Sequence, residues 1–73
     1  MNTKQRTKHI HEGRYVAEVD VMLLVDDTDW SPYISVDDAR KLDDIRDALR
    51  RGDISAASRM SRVFELHPVA ASQ

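Results

Sequence analysis

The stretch that decides the fold is "YVAEVDVMLLV", Tyr15–Val25. Tyr15, Ala17, Val19, Val21, Leu23 and Val25 recur at every second position, the period of a strand with one buried face. Val16, Glu18, Asp20, Met22 and Leu24 make the other face. That face is half polar at first. In "VMLLV" both faces turn apolar, so both should be covered there. Eleven extended residues span roughly 37 Å. A compact chain of 73 residues has a radius of gyration of about 11 Å, or roughly 29 Å across as a sphere. The strand should therefore bend, bulge or project. A projecting apolar strand is an aggregation hazard unless something pairs with it.

Upstream, "KHIHEGR" makes a hairpin candidate with Glu12-Gly13 as the turn. A simple lead-in to the strand is the alternative. Residues 1–7 are polar and read as a disordered basic tail. Downstream, Ser35 is a helix N-cap with Asp38 three residues on. Asp37 and Asp38 sit at the helix start and Arg50 and Arg51 at its end, matching the helix dipole. Gly52 supplies the stop. The expected buried stripe is Ala39, Leu42, Ile45, Ala48 and Leu49. The expected outer-face ion pairs are Asp37–Lys41, Arg40–Asp44 and Asp47–Arg51.

Asp53 caps a second, shorter helix that buries Ile54, Ala57 and Met60. The tripeptide "RGD", Arg51–Asp53, matches an integrin-recognition sequence, but a helix stop followed by an N-cap accounts for it. "VFELHPV" reads as a closing strand ending at Pro68. The fold class is α+β: a long strand or hairpin, an αα-hairpin and a C-terminal strand, ββααβ or βααβ. The single domain runs over 8–70, with a short tail at 71–73. So few strands are marginal alone, and the chain has no cysteine for a disulfide staple. The expected solution is a homodimer with an intermolecular antiparallel sheet. Its core and dimer residues would be Tyr15, Val19, Val21, Leu23, Val25, Phe64 and Leu66.

"HEGRYVAEVDV", "DDTDWSPYIS", "DARKLDDIRDALRRGDISAASR" and "VFELHPV" together resemble a family of small uncharacterised bacterial proteins. The resemblance runs from His11 to Val69. Some members lie beside genes for small toxin-like proteins, which implies an antitoxin or accessory role. Fold and partner contacts for this chain rest on its own residues.

Net charge is −2, which argues against general nucleic-acid binding. Its distribution is uneven. Residues 1–14 hold Lys4, Arg6, Lys8 and Arg14 against Glu12, while residues 15–38 hold seven acids and no Lys or Arg. No apolar run is long enough to span a membrane. The charged N-terminus has no signal-peptide core behind it, so a cytoplasmic protein is expected.

Candidate chemistry is sparse. Asp26, Asp27 and Asp29 lack the spacing of a calcium loop and read as a solvated turn or an acidic docking patch. His9 and His11 share a strand face, but two imidazoles make a weak metal signal. No serine stands in a nucleophile motif, and two glycines make no phosphate cradle. Neither an enzyme nor a cofactor is expected. Trp30, Pro32 and Tyr33 form a stiff aromatic corner, either packed over the core or exposed as interface anchors. The function read from the sequence is a non-enzymatic, antitoxin-like interaction module. It would bind a small basic protein through Trp30, Pro32, Tyr33 and the three aspartates. The runner-up is a DNA-binding regulator using the basic tail and the helix arginines.

Overall fold

A computed structural model describes residues 2–25 and 33–70. Two eleven-residue strands, β1 (Asn2–Glu12) and β2 (Tyr15–Val25), form an antiparallel hairpin paired along its whole length, from Glu12 opposite Tyr15 to Asn2 opposite Val25. A two-residue strand β3 (Tyr33–Ile34), helix α1 (Val36–Arg50), helix α2 (Ile54–Met60) and strand β4 (Arg62–Glu65) follow. The architecture is the expected α+β, ββααβ, with β3 as a small addition.

Two boundaries differ from the sequence reading. The turn is Gly13-Arg14, one residue later than expected, because Gly13 supplies a φ of +59°. A type II′ hairpin turn wants glycine at that first central position. The N-terminal segment is strand from Asn2, where a disordered tail was expected over residues 1–7. Every residue from Asn2 to Glu12 finds a partner across β2, and pairing with an apolar strand outweighs the segment's polar composition. The tail at 71–73 lies outside the described residues.

β2 is the sheet's spine. β1 flanks one side, and the other carries β4 against Tyr15–Glu18 and β3 against Leu23–Leu24, all antiparallel. Both helices pack on one face. Val19, Val21 and Ala17 point into that face, with Ile10 from β1, and meet Ile45, Ala48 and Leu49 of α1 and Ala57 of α2. Tyr15 and Leu23 pack half-buried against this cluster. The core therefore sits at the turn end of the hairpin. The other end projects, and the molecule measures 53 × 31 × 14 Å with a radius of gyration of 15.2 Å.

The helix boundaries follow from their caps. Ser35 Oγ accepts from the Asp38 N–H at 3.1 Å, and Asp53 Oδ1 accepts from the Ala56 N–H at 3.1 Å. At the end of α1, the Gly52 N–H bonds to the Leu49 carbonyl at 3.1 Å and the Asp53 N–H to the Ala48 carbonyl at 2.8 Å. With Gly52 at φ +76°, this is a Schellman stop. The Arg-Gly-Asp tripeptide is thus taken up by one helix end and the next helix start. Of the expected outer-face pairs, Asp47–Arg51 forms at 3.2 Å. Lys41 turns instead to Asp38, at 3.7 Å, and to the sheet.

Candidate functional site

Strand parity decides which backbone groups β1 leaves open. The Leu66 N–H donates to the Arg14 carbonyl at 2.6 Å, so residues of β2 with the parity of Arg14 aim their backbone groups toward β4. The odd-numbered residues Tyr15 to Val25 then aim theirs toward β1. Their partners are Glu12, Ile10, Lys8, Arg6, Lys4 and Asn2. The outward N–H and C=O groups of β1 therefore belong to Thr3, Gln5, Thr7, His9 and His11. Among the described residues no strand pairs with this side of β1. Arg6 Nη1 reaches round to donate to the outward carbonyl of Gln5 at 3.2 Å.

Lys4, Arg6 and Lys8 stand at alternate positions of that edge, on the face that carries the helices. They lie opposite Leu23, Val21 and Val19, and all three are exposed. None has a carboxylate within ion-pair distance among the described residues. The signal was in the sequence as "KQRTKHI", a period-two run of cations ending at Ile10, which polar composition disguised as a tail. Beside Lys8 a shallow cleft of about 430 Å³ opens toward α1. Ile10, Leu23, Ile34 and Leu42 floor it, and Lys8 and Arg46 rim it.

The opposite side of β2 is covered by short elements. Between β4 and β3, on the side of β2 away from β1, no described strand pairs with Val19–Met22. Side chains of α1 fill the gap. The Met22 N–H donates to Asp38 Oδ2 at 2.8 Å, and Lys41 Nζ donates to the Asp20 carbonyl at 2.7 Å. Asp38 was legible as a capping residue, but its role on the sheet edge was not.

The sheet face away from the helices carries a charged cluster. Arg62 holds Asp20 with two bonds of 3.1 Å and Glu18 with one of 3.2 Å, and Thr7 Oγ1 donates to Asp20 Oδ1 at 3.2 Å. The Arg62 bond, aided by its charge, holds the Asp20 carboxyl below the usual carboxylate range. The same carboxylates push Arg62 further up, so it stays protonated.

His9 and His11 share this face, but their rings are engaged separately. His9 Nε2 lies 3.4 Å from Glu18 Oε2, and His11 Nε2 lies 2.8 Å from the Gly13 carbonyl. Among the described residues no group of three or more potential ligands is placed to hold a metal ion. No described helix is long and apolar enough to cross a membrane.

The expected docking residues divide. Trp30, Pro32, Asp26, Asp27 and Asp29 lie outside the described residues. Tyr33 sits in β3 and is exposed. Of the expected core and dimer residues, Val19 and Val21 are buried and Tyr15, Leu23 and Val25 are half-buried. Phe64 and Leu66 are 51% and 46% exposed. Phe64 pairs with Val16 on the outer face, and Val63 is the residue that packs inward. The helix arginines are mostly engaged. Arg46 and Arg50 reach Glu12 at 3.7 and 3.3 Å, and Arg51 reaches Asp47.

No protein-family model matches the chain, and neither a curated protein nor a solved structure matches it.

Proposed function

We propose that this chain is a non-enzymatic interaction module that works by lending the open edge of β1 to a strand of another protein. One observation carries the reading. Among the described residues, an eleven-residue strand leaves its outward backbone groups without a strand partner. The far side of β2 is instead covered by α1 and by β4 and β3, whose own strand edges are only four and two residues long. Strand addition supplies main-chain hydrogen bonds along such an edge, with side chains setting the choice of partner. An antitoxin-like role, with a toxin-like protein as partner, is the setting implied by the resemblance in sequence.

The DNA-binding reading draws less support. Of the arginines it would use, Arg46, Arg50, Arg51 and Arg62 each face a carboxylate, which leaves them poorly placed to neutralise phosphates. Only Arg59 has no such partner among the described residues. Homodimerisation is a second reading. Phe64 and Leu66 give it two exposed apolar side chains on the outer face.

The test is co-expression with the product of an adjacent gene, followed by amide hydrogen exchange on any complex. Protection at Thr3, Gln5, Thr7, His9 and His11 supports the edge. Protection confined to the outer face near Phe64, or to the helices, overturns it.

A further inference from the structure

Among the described residues, the open edge carries a row of cations with no carboxylate at ion-pair distance. Arg14, Lys41, Arg46, Arg50, Arg51 and Arg62 each lie within ion-pair distance of a carboxylate. Lys4, Arg6, Lys8, Arg40 and Arg59 do not, among the described residues, and of these Lys4, Arg6 and Lys8 stand in one row on one face of the edge strand. Residues two apart on a strand are separated by roughly 6.8 Å. A strand paired to this edge presents its own alternate side chains at the same spacing, directly beside the three cations.

We infer that the open edge of β1 takes an extended acidic strand whose carboxylates, carried at every second position, face Lys4, Arg6 and Lys8. This deepens the proposal that β1 is a docking edge and rests on it. The incoming strand adds hydrogen bonds to the outward groups of Thr3, Gln5, Thr7, His9 and His11. Its carboxylates supply the missing counter-charges.

A second copy of this chain fits the edge worse. A two-fold antiparallel pairing centred on Arg6 sets Arg6 against its own copy and Lys4 against Lys8. Centred on Thr7, it sets Arg6 against Lys8. Centred on Lys8, it sets Lys8 against Lys8; there and in the register centred on His9 one cation does meet a carboxylate, but it is Glu12, which Arg46 and Arg50 already hold. Like charges directly opposite are unfavourable, and edge lysines are a common guard against self-pairing. The same cations that discourage a copy favour an acidic strand. A single-stranded nucleic acid would meet the cations but leave the backbone groups unpaired.

The experiment uses the full chain and fluorescently labelled, end-blocked peptides in which Glu alternates with Thr or Val. Controls are the same peptide with Lys for Glu, and the Glu peptide N-methylated on its edge-facing amides. Binding is read by anisotropy at low and high salt. The Glu peptide should bind and weaken with salt. The Lys peptide and the N-methylated peptide should not bind.

The combined variant Lys4→Gln, Arg6→Gln, Lys8→Gln should bind the Glu peptide about tenfold more weakly, the scale of three exposed ion pairs. Thr7→Pro, which removes an outward N–H that an edge strand does not need, should abolish binding with the circular dichroism unchanged. The N-methylated peptide makes the same test without altering the protein.

Equal binding of the Glu and Lys peptides overturns the charge inference and leaves the docking edge standing. Equal binding of the N-methylated and parent peptides overturns both. Oligothymidylate binding as tightly as the Glu peptide assigns the row to nucleic acid. A dimer in sedimentation that Thr7→Pro dissolves assigns the edge to a second copy. Either of these last two results overturns the acidic strand.

Discussion

The two edges of this sheet are built in opposite ways. On the far side of β2, two very short strands cover both ends, and the gap between them is filled by Asp38 and Lys41 from α1. Short strands and covering elements are standard means of blunting an edge. On the near side, β1 runs eleven residues with no strand beyond it among the described residues. Its guard is a row of cations and no covering element. A chain this small can seal part of a strand edge with helix side chains, and β1 carries no such seal among the described residues.

The largest way to break this contrast is to loosen α1. Ile45 is fully buried against the sheet, and Ile45→Ala should cost about 2–5 kcal/mol by chemical denaturation. If α1 is what seals the far edge, amide exchange at Met22 should speed up more than exchange along the β1–β2 ladder near Lys4. Equal acceleration at both places would mean that the helix seals nothing locally.

A narrower break removes the seal alone. Asp38→Ala takes away the acceptor of the Met22 N–H and the neighbour of Lys41. Leaving a polar backbone group without its partner costs about 1–3 kcal/mol, and water access to this open notch places the cost at the lower end. Asp38→Asn keeps an acceptor oxygen and should recover most of the loss. An Asn variant as unstable as the Ala variant would show that charge at the helix N-terminus, and not the bond to β2, is what matters.

The contrast also explains what could be read from the sequence. The spine, both helices and their caps were legible because each rests on local chemistry: the period-two run of β2, Ser35 and Asp53 as caps, Gly52 as a stop. β1 was only half legible. Its residues are polar on both faces up to Ile10, so the alternation of Lys4, Arg6 and Lys8 comes without the apolar face that usually marks a strand. It becomes one because β2 offers a partner residue for each of its own. Asp38 and Lys41 looked like an ordinary helix start and an exposed ion-pair residue. Their bonds to the sheet depend on where the helix crosses β2, which no local pattern encodes. That Val63 packs inward and Phe64 outward was not legible for a related reason: in a four-residue strand only the register against β2 decides which side chain faces in.

A smaller effect tests the closed side through pH. Asp20 is held by Arg62, which ties β4 to β2 on the outer face, and its carboxyl lies below the usual range. A carboxyl depressed in the folded state adds stability that is present above its unfolded value of about 4. That contribution is lost as pH falls through the folded value. Stability should therefore drop on acidification below about pH 4, and Arg62→Ala should flatten that acid limb while leaving the slope near pH 7 unchanged. An unaltered acid limb in the variant would remove Asp20 as its source.

The smallest expected effect belongs to the open edge. Lys4, Arg6 and Lys8 have no counter-charge among the described residues, so replacing all three by Gln breaks no ion pair among them. Exposed substitutions of this kind fall within about 0.5 kcal/mol, and relief of repulsion along the row sets the sign toward stabilisation. Chemical denaturation of the triple variant should show a midpoint equal to or slightly above that of the parent chain. A clear loss of stability would mean that the cations do structural work within the fold, and the distinction between a sealed edge and an accessible one would fail. A neutral or slightly stabilised variant that has lost its acidic ligand would separate the two: cations that the fold can do without are retained for what they meet.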